Sequence, residues 1–327
     1  MDILIDETDA GKNIRELLRR DMGYSSGMLK KLKFTEGGIL VNGKFVTVRY
    51  VLQKDDVLSL ACEDTEEDTS PYIIPVDLPI GIAYEDGQVT VVDKPPFMPA
   101  HPSLGHRKDT VANTLAYRYR DKTYVFRPVN RLDRDTSGLM LTANTRLGAY
   151  QLYKAMIGGM IEKAYVAILD KPMARDEGVL FSYMGRCEDS IVMRRIVTKG
   201  TEGAKPAVTA YKTLIKTEKH TVVLATPVTG RTHQLRLHFA SNGCSITGDT
   251  MYGTESPLIS RHALHSAYTA FPHPITKEII TLISPIPADM RAVIGNEAAE
   301  DIENKLITEA KLLEKMKNEY TKNSDPV

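Results

Sequence analysis

A charged loop at residues 127–141 contains the side chains best suited to chemistry. Its sequence, RPVNRLDRDTSGLML, places Asp133 between Arg131 and Arg134 and then becomes apolar enough to enter a buried strand. Guanidinium groups on either side favour the ionised carboxylate, which a nucleophile or a general base requires. A loop held by a strand is a rigid way to present such a side chain. A salt-bridged turn would have the same composition, so this segment alone leaves both interpretations open.

Asp135 lies two residues further on, and a pair of carboxylates can also hydrolyse glycosidic bonds. Such enzymes hold their two carboxyl groups on opposed sides of the bond, roughly 5–9.5 Å apart. Two residues of one loop do not readily supply that arrangement, and the chain has no tryptophan to form a platform for a sugar. Glycoside hydrolysis is therefore the minor interpretation.

Two predicted strands carry further candidates. Residues 162–169 are expected to form a strand, and because successive side chains of a strand point to opposite faces, Lys163 and Tyr165 share one face. A core aromatic is the ordinary interpretation of such a tyrosine. The strand predicted for residues 89–94 ends at Lys94, which we expect to close the Lys-Pro turn that follows.

A second segment rich in polar groups, TGRTHQLRLHFA at residues 229–240, contains Arg231 and Arg236, and we expect it to form a strand. Its two histidines, His233 and His238, are the obvious candidates for a zinc site. A helical metal pair needs an i, i+4 spacing, and this pair is i, i+5. On a strand, an odd separation directs two side chains to opposite faces. The spacing therefore predicts no metal site.

Three of these segments occur in the order seen in the RluA family of RNA pseudouridine synthases. Arg-Leu-Asp-x-x-Thr-Ser-Gly at residues 131–138 resembles the family's signature, Lys-x-Tyr-x-Ala at 163–167 its second motif, and the segment at 229–240 its third. The resemblance covers about residues 78–290. It departs from the family at Asn130, where histidine is usual.

The resemblance implies a role for each of these residues. Asp133 is at the position of the family's essential aspartate, and Arg236 at that of the arginine that forms a bidentate ion pair with it. Tyr165 is at the position of the tyrosine that stacks against the target base. Arg131 is expected to fill the gap that a flipped uridine leaves. The other cations of these motifs are candidate RNA contacts: Arg134, Lys163 and Arg231.

The implied reaction converts uridine to pseudouridine within RNA, on an α+β domain built around a mixed, largely antiparallel sheet. The base leaves ribose through nitrogen and rejoins it through carbon 5, with no redox change and no donor group. The chain has no phosphate-binding loop and no dinucleotide fingerprint, and we expect no cofactor. Asp133 either attacks the anomeric carbon or removes a proton from it, and both routes stay open. The alternative function is a non-catalytic RNA-binding protein on the same fold.

Residues 1–62 predict a small α+β module with a basic surface. Nine basic and three acidic side chains lie between residues 12 and 49, and two short helical patterns precede a hairpin signal at Asn42-Gly43. This arrangement resembles the small RNA-binding domain named after ribosomal protein S-four. Cations on one face can neutralise phosphates, whereas a merely solvated helix face is the alternative. The candidate RNA contacts are Arg15, Arg19, Lys30, Lys31 and Lys33.

Composition divides the rest of the chain into three parts. Residues 63–77 begin with an acidic run and continue with polar residues and proline, which predicts a linker. We expect the catalytic domain at residues 78–292. Residues 293–327 predict an amphipathic helix and tail, with an apolar stripe formed by Ile302, Leu306, Ala310, Leu313 and Met316.

The bulk properties exclude several classes of protein. The 327 residues have a net charge of zero, with 42% hydrophobic and 26% charged side chains, as in an ordinary globular protein. No apolar run approaches the roughly 20 residues that span a bilayer, and the first residues do not resemble a signal peptide. Three cysteines without a Cys-x-x-Cys pair indicate reduced thiols. We expect a cytoplasmic monomer that binds ribosomal or transfer RNA and no membrane.

Overall fold

Two β-sheets organise the protein. A four-stranded sheet is formed by the N-terminal residues, and an eleven-stranded sheet is formed by residues 81–283. The predicted α+β class with a mixed, largely antiparallel sheet is confirmed. The computed structural model describes residues 1–24, 26–61, 68–187, 190–217 and 220–323.

The N-terminal sheet is antiparallel and contains the predicted hairpin. Its strands are β1 (Asp2–Leu4), β2 (Ile39–Val41), β3 (Lys44–Phe45) and β4 (Val57–Leu60). Their order is β1–β4–β2–β3. Asn42 and Gly43 both have positive φ, 51° and 75°, as a two-residue hairpin turn requires. The hairpin predicted at this pair is therefore confirmed.

Two helical segments cover this sheet. The first, α1 (Ile14–Glu16), is capped by Asn13, whose side chain accepts a hydrogen bond from a backbone amide at 2.9 Å. It continues as a π-helical turn over Leu17–Asp21, and α2 spans Ser26–Phe34. The apolar faces of these segments belong to one buried cluster with the strands, through Leu17, Leu18, Leu29 and Leu32.

The large sheet is built from strands that are distant in the chain. In chain order they are β5 (Gly81–Glu85), β6 (Val89–Lys94), β7 (Arg127–Pro128), β8 (Ser137–Ala143), β9 (Glu162–Leu169), β10 (Glu177–Cys187), β11 (Ser190–Val197), β12 (Lys205–Lys216), β13 (Thr221–Pro227), β14 (Leu264–Pro272) and β15 (Ile279–Ile283). The spatial order is β11–β10–β12–β13–β9–β14–β8–β6–β5, with β15 beside β14 and β7 beside β8. The two predicted strands at residues 89–94 and 162–169 are confirmed as β6 and β9.

One parallel contact near the centre of the large sheet fixes the charged loop. There β8 pairs with β14 in parallel, with Gly138 opposite Ser266. Gly138 has a φ of 103°, and a Cβ atom on it would lie 2.3 Å from the carbonyl oxygen of Ser266. The close approach therefore requires glycine. The loop that carries Asp133 enters the sheet at this point, so its position is tied to that of β14.

The body of the protein also carries five helices among the described residues. The longest packs on β9, β12, β13 and β14. It buries Ile302, Leu306, Ala310 and Leu313, and Met316 is partly buried beside them. The helices are α3 (Val111–Arg118), α4 (Arg146–Ile157), α5 (Gln234–Ser241), α6 (Ala288–Ile294) and α7 (Asn296–Asn323).

The prediction of a strand around Arg236 is wrong, because that residue lies on α5. Leu235, Leu237 and Phe239 alternate with polar residues, which imitates the period of a strand. Residues 234–241 contain no β-branched residue, however, and their leucine, glutamine and arginine are good helix formers. Helix propensity therefore decides the local structure.

The N-terminal module contacts the body through α4. Tyr150 is buried among the apolar residues of the module, and its hydroxyl donates a hydrogen bond to Asp9. Lys154 forms ion pairs with Asp6 at 2.7 Å and with Asp9 at 2.8 Å. One helix of the body therefore anchors the module by both apolar and charged contacts.

The described part of the predicted linker lies against the body. Ile73 packs on the main apolar cluster, and the side chain of Asn113 donates to the carbonyl oxygen of Ile74 at 2.7 Å. Asp68 pairs with Arg146 at 2.9 Å. The rest of the predicted acidic run, residues 63–67, lies outside the described residues. Within the part of the chain that the structure describes, no helix has the length and apolar character needed to cross a membrane.

Candidate active site

One cleft of about 560 Å³ brings together the seven residues predicted from the three motifs. The charged loop contributes three of them, β9 contributes two, and the α5 region contributes two. The cleft is lined by Arg131, Asp133, Arg134, Lys163, Tyr165, Arg231 and Arg236. Residues about a hundred positions apart in the chain therefore face one space.

Lys94 holds the backbone of the charged loop. Its buried ammonium group donates to the carbonyl oxygens of Pro95 at 2.9 Å, Met98 at 2.8 Å and Arg134 at 2.9 Å. Burial lowers the pKa of Lys94 to about 7. Lys94 thus closes the turn after β6, as predicted, and in addition it ties this turn to the residue after Asp133.

Arg261 is a second buried cation that fixes the backbone of the charged loop, and its role was not predicted from the sequence. Its fully buried guanidinium group forms a bidentate ion pair with Asp289, at 2.6 and 2.9 Å. The same group donates to the carbonyl oxygens of Asp135 at 3.1 Å and Leu264 at 3.2 Å. It therefore joins the charged loop to β14 and α6. Arg261 precedes the predicted family segment Leu264-His265-Ser266 by three residues, but two of its acceptors are backbone oxygens that a sequence does not reveal.

Asn130, where the family usually has histidine, closes the base of the loop. Its side-chain oxygen accepts a hydrogen bond from the amide of Leu141 at 2.8 Å. The departure from the family pattern therefore retains a side chain that fixes the strand next to the loop. Asn130 also lines the cleft.

The carboxylate of Asp133 meets Arg236 at the bottom of the loop. Its Oδ2 atom lies 3.3 Å from one terminal nitrogen of Arg236, and its side chain is 27% exposed. The predicted bidentate pair between these residues is wrong. Asp249 occupies the bidentate edge of the guanidinium group, at 2.7 and 2.8 Å, and leaves one nitrogen for Asp133.

Asp249 is the buried partner that orients Arg236, and its role was not predicted from the sequence. Burial opposes ionisation of Asp249, but the hydrogen bonds and charge of Arg236 outweigh burial and hold its pKa below the usual value. The Arg236 side chain is therefore oriented by a group that does not line the cleft. The signal was available, since Asp249 is the acidic residue of the Gly-Asp-Thr-Met-Tyr-Gly segment at residues 248–253, inside the span of residues 78–290 that the resemblance covers.

The two arginines that flank Asp133 do not form ion pairs with it. Arg134 instead forms a bidentate pair with Asp135, at 2.7 and 2.9 Å. Arg131 is exposed, and within the described parts of the chain it forms no ion pair. Asp135 does not line the cleft, so the structure does not present two carboxylates to one substrate as glycoside hydrolysis requires.

Tyr165 forms part of the cleft wall on β9. Its side chain is 8% exposed, and burial, with a smaller contribution from the charge of Asp133, raises its pKa to about 12. The hydroxyl is therefore neutral at ordinary pH. Lys163 lies on the same strand face. Burial shifts its pKa in the opposite direction, below the ordinary value of a lysine. The wall thus offers an uncharged ring beside a cation.

His233 and His238 bind partners other than a metal. His233 Nδ1 lies 2.9 Å from the hydroxyl of Tyr252. Both ring nitrogens of His238 are hydrogen-bonded, to Thr209 at 2.8 Å and Ser182 at 2.9 Å. In the described residues there is no group of three or more histidine, cysteine or acidic side chains that could hold a metal ion.

The basic residues predicted in the N-terminal module lie on its surface. All five are exposed, and none of them lines the cleft. Arg19 makes a hydrogen bond to the side chain of Ser26. These residues are Arg15, Arg19, Lys30, Lys31 and Lys33. The structure thus separates them from the motif residues, and they form a second basic region on a module that α4 anchors.

Comparison with known proteins points to one family. The family model described as RNA pseudouridylate synthase matches residues 88–241. One similar protein is the uncharacterised RNA pseudouridine synthase YjbO of Bacillus subtilis, which is 36% identical over 85% of this chain and 96% of its own length. Another is the ribosomal large subunit pseudouridine synthase D of Vibrio parahaemolyticus, 32% identical over 83% of this chain and 86% of its own.

A solved structure gives the same result. The human RNA pseudouridylate synthase domain containing 1 is 27% identical to this chain and superposes on it with a TM-score of 0.51. The superposition covers 63% of this chain and 83% of the human one. The region that the family model matches includes every residue that lines the cleft except Leu264.

Proposed function

Because this chain belongs to the RluA family of RNA pseudouridine synthases, and is therefore an isomerase that acts on RNA, we propose that Asp133 is its essential catalytic residue. The substrate is a specific uridine in structured RNA, and the enzyme acts as a monomer without a cofactor. The observation that carries this proposal is the single cleft in which Asp133, Arg236 and Tyr165 meet.

The reaction needs an anionic oxygen beside the ribose. The bond between C1′ and N1 breaks, uracil rotates, and a bond between C1′ and C5 forms, after which the proton of C5 is released. Asp133 either attacks C1′ or removes a proton from the ribose, and both routes require the ionised carboxylate. Arg236, 3.3 Å away, stabilises that charge and orients the group.

Tyr165 and Arg131 hold the displaced base and the RNA. The ring of Tyr165 supplies a stacking face for uracil, a contact worth ~1–3 kcal/mol per base. Extruding a nucleotide costs a few kcal/mol, and Arg131, which is exposed at the rim, offsets part of that cost by filling the gap. Arg134, Lys163 and Arg231 contact phosphates around the cleft.

The N-terminal module increases affinity for structured RNA. Its exposed cations neutralise phosphates without reading sequence, in the way that the resemblance to the domain named after ribosomal protein S-four implies. Among the relatives, several bear the name ribosomal large subunit pseudouridine synthase D. We therefore take ribosomal RNA as the first candidate substrate and transfer RNA as the second, and we place the enzyme in the cytoplasm.

Release of the C5 hydrogen tests the proposal. Unmodified ribosomal and transfer RNA transcripts are labelled with tritium at C5 of uridine, and tritium released to water is counted. We expect the wild type to release tritium from one RNA class and Asp133→Asn to be slower by at least about 10³-fold. Asp135→Asn is the matched control, since it removes a carboxylate of the same loop that lies outside the cleft. Full activity of Asp133→Asn would show that the assignment is wrong.

A further inference from the structure

The ring of His233 faces the carboxylate of Asp133. Its Nε2 atom lies 4.0 Å from Oδ2 of Asp133, which is longer than a hydrogen bond, and Arg236 approaches the same oxygen at 3.3 Å. Both groups therefore face one oxygen of the carboxylate. In the described residues no hydrogen bond reaches Oδ1, so the two oxygens of Asp133 have different surroundings.

The backbone of His233 is what directs the ring towards Asp133. His233 is the residue before α5 and has a φ of 57°, in the left-handed region that side chains with a Cβ atom rarely adopt. Residues held in this region persist where surrounding contacts determine them. The surrounding contact here is Tyr252, whose ring packs edge-on against the imidazole with the ring centroids 5.6 Å apart.

Tyr252 also determines which nitrogen of His233 carries the proton. Its hydroxyl oxygen accepts a hydrogen bond from the backbone amide of Arg194 at 2.9 Å and lies 2.9 Å from Nδ1 of His233. The hydroxyl has one proton to donate, and among the described residues Nδ1 of His233 is the acceptor at hydrogen-bond distance from it. A neutral imidazole that accepts at Nδ1 carries its own proton at Nε2. Nε2–H then points towards Asp133.

We propose that His233 is a positioning residue for the isomerisation: its Nε2–H faces Oδ2 of Asp133 across 4.0 Å, closes to hydrogen-bond distance when RNA is bound, and leaves Oδ1 to react with the RNA. This inference rests on the proposed role of Asp133. Tyr252 acts through His233, because it fixes both the orientation and the tautomer of the ring. The backbone amide of Arg194 on β11 holds Tyr252 in turn, so the hairpin formed by β10 and β11 is linked to the catalytic carboxylate by three successive contacts.

Packing alone is the competing explanation. The ring of Tyr252 lies under Arg236, 5.2 Å from its guanidinium carbon, and an aromatic ring there would support the site without any hydrogen bond. The two explanations differ for Tyr252→Phe, which keeps the ring and removes the hydroxyl. They also differ for His233→Gln and His233→Asn, since the longer amide can place a donor near Nε2 and the shorter one cannot.

Single-turnover kinetics with saturating C5-tritiated ribosomal RNA transcript separate these explanations. We expect His233→Asn to slow the chemical step by about 10- to 100-fold, with the dissociation constant for the transcript changed by less than about threefold. His233→Gln should recover at least about half of that loss on a logarithmic scale. Tyr252→Phe should slow the wild type by about 3- to 10-fold but slow His233→Asn by less than about twofold. Equal rates for the asparagine and glutamine variants, or additive effects in the double variant, would overturn the proposal.

A second measurement does not depend on activity. In protein labelled with ¹⁵N-histidine, nitrogen chemical shifts distinguish protonated from unprotonated ring nitrogens, and the signal of His233 is the one missing in His233→Gln. We expect a neutral ring protonated at Nε2, and a mixture of tautomers in Tyr252→Phe. A proton on Nδ1 in the wild type would refute the inference even in an active enzyme. If the wild type releases no tritium from either RNA class, the proposed function fails while the predicted tautomer is still decided.

Discussion

Arg236 lies between two carboxylates that differ in solvent exposure and in hydrogen-bond geometry. Asp249 is 1% exposed and bound through two hydrogen bonds of normal length, whereas Asp133 is 27% exposed and reached by one nitrogen at 3.3 Å. The buried pair fixes the arginine, and the exposed contact leaves the second carboxylate accessible to RNA. Under the proposed function, Arg236 stabilises the fold through Asp249 and the reactive carboxylate through Asp133. The weaker of its two ion pairs is then the one that involves the proposed catalytic residue.

The same contrast holds between the loop and its supports. Lys94 and Arg261 contact backbone oxygens of the loop and are buried, while Arg131 and Arg134 face the cleft. Buried cations hold the chain in place, and exposed cations remain available for phosphates.

Breaking the buried pair should cost far more stability than altering the exposed carboxylate. Asp249→Asn removes the buried partner of Arg236 and leaves its charge only the partly solvated contact with Asp133, so we expect the free energy of unfolding to fall by about 3 kcal/mol. Asp133→Asn should lower it by less than about 1 kcal/mol, because that contact is partly solvated. Urea unfolding followed by circular dichroism measures both values. Equal losses in the two variants would contradict the division.

Mild acid should destabilise the folded protein through two buried histidines, His238 and His265, at a pH above the range in which carboxylates titrate. Burial lowers the pKa of His238 and of His265 to about 4 from an ordinary value of 6.5. Since the unfolded chain binds these protons first, the stabilising effect of the neutral rings is complete above pH 6.5 and is lost as the pH falls towards 4. We expect the free energy of unfolding to fall by roughly 3 kcal/mol between pH 6.5 and 5 from these two residues. Constant stability over that range would show that the rings are not neutral in the folded protein.

Activity should depend strongly on the aromatic ring of Tyr165 and much less on its hydroxyl. Tyr165→Leu removes a stacking face worth ~1–3 kcal/mol, so we expect activity to fall by about 5- to 150-fold. Tyr165→Phe keeps the ring, and since the hydroxyl is neutral its loss should cost less than about tenfold. Tritium release at saturating RNA compares the two variants. A larger loss for phenylalanine than for leucine would argue against stacking.

The exposed cations of the N-terminal module should affect RNA affinity alone. For the double variant Lys30→Ala/Lys33→Ala, we expect the slope of log affinity against log salt to become shallower by about 1–2, with no change in rate at saturating RNA. Lys315→Ala, which removes an exposed charge from α7, is the control. Filter binding at several salt concentrations gives the slope. An unchanged slope would show that the module does not contact phosphates.

The sequence could predict the participants of the site better than their arrangement. The order of the three motifs predicted that Asp133, Tyr165 and Arg236 share one site, and all three line the same cleft. The hairpin at Asn42-Gly43 was predicted because both residues tolerate a positive φ. The bidentate partner was misassigned, because both Asp133 and Asp249 are compatible with one arginine and only burial separates them. α5 was mistaken for a strand because Leu-x-Leu-x-Phe has a period of two. The clamp by Arg261 could not be predicted, since its acceptors in the loop and on β14 are carbonyl oxygens.

Mapping pseudouridines in total RNA from cells that carry either the wild-type gene or the Asp133→Asn allele tests the central claim most directly. The variant should be present at wild-type levels, because it retains the buried Arg236–Asp249 pair. We expect one or a few pseudouridines to disappear from ribosomal or transfer RNA in cells with the variant. Their persistence at wild-type levels in those cells would contradict the assignment of Asp133 as the catalytic residue.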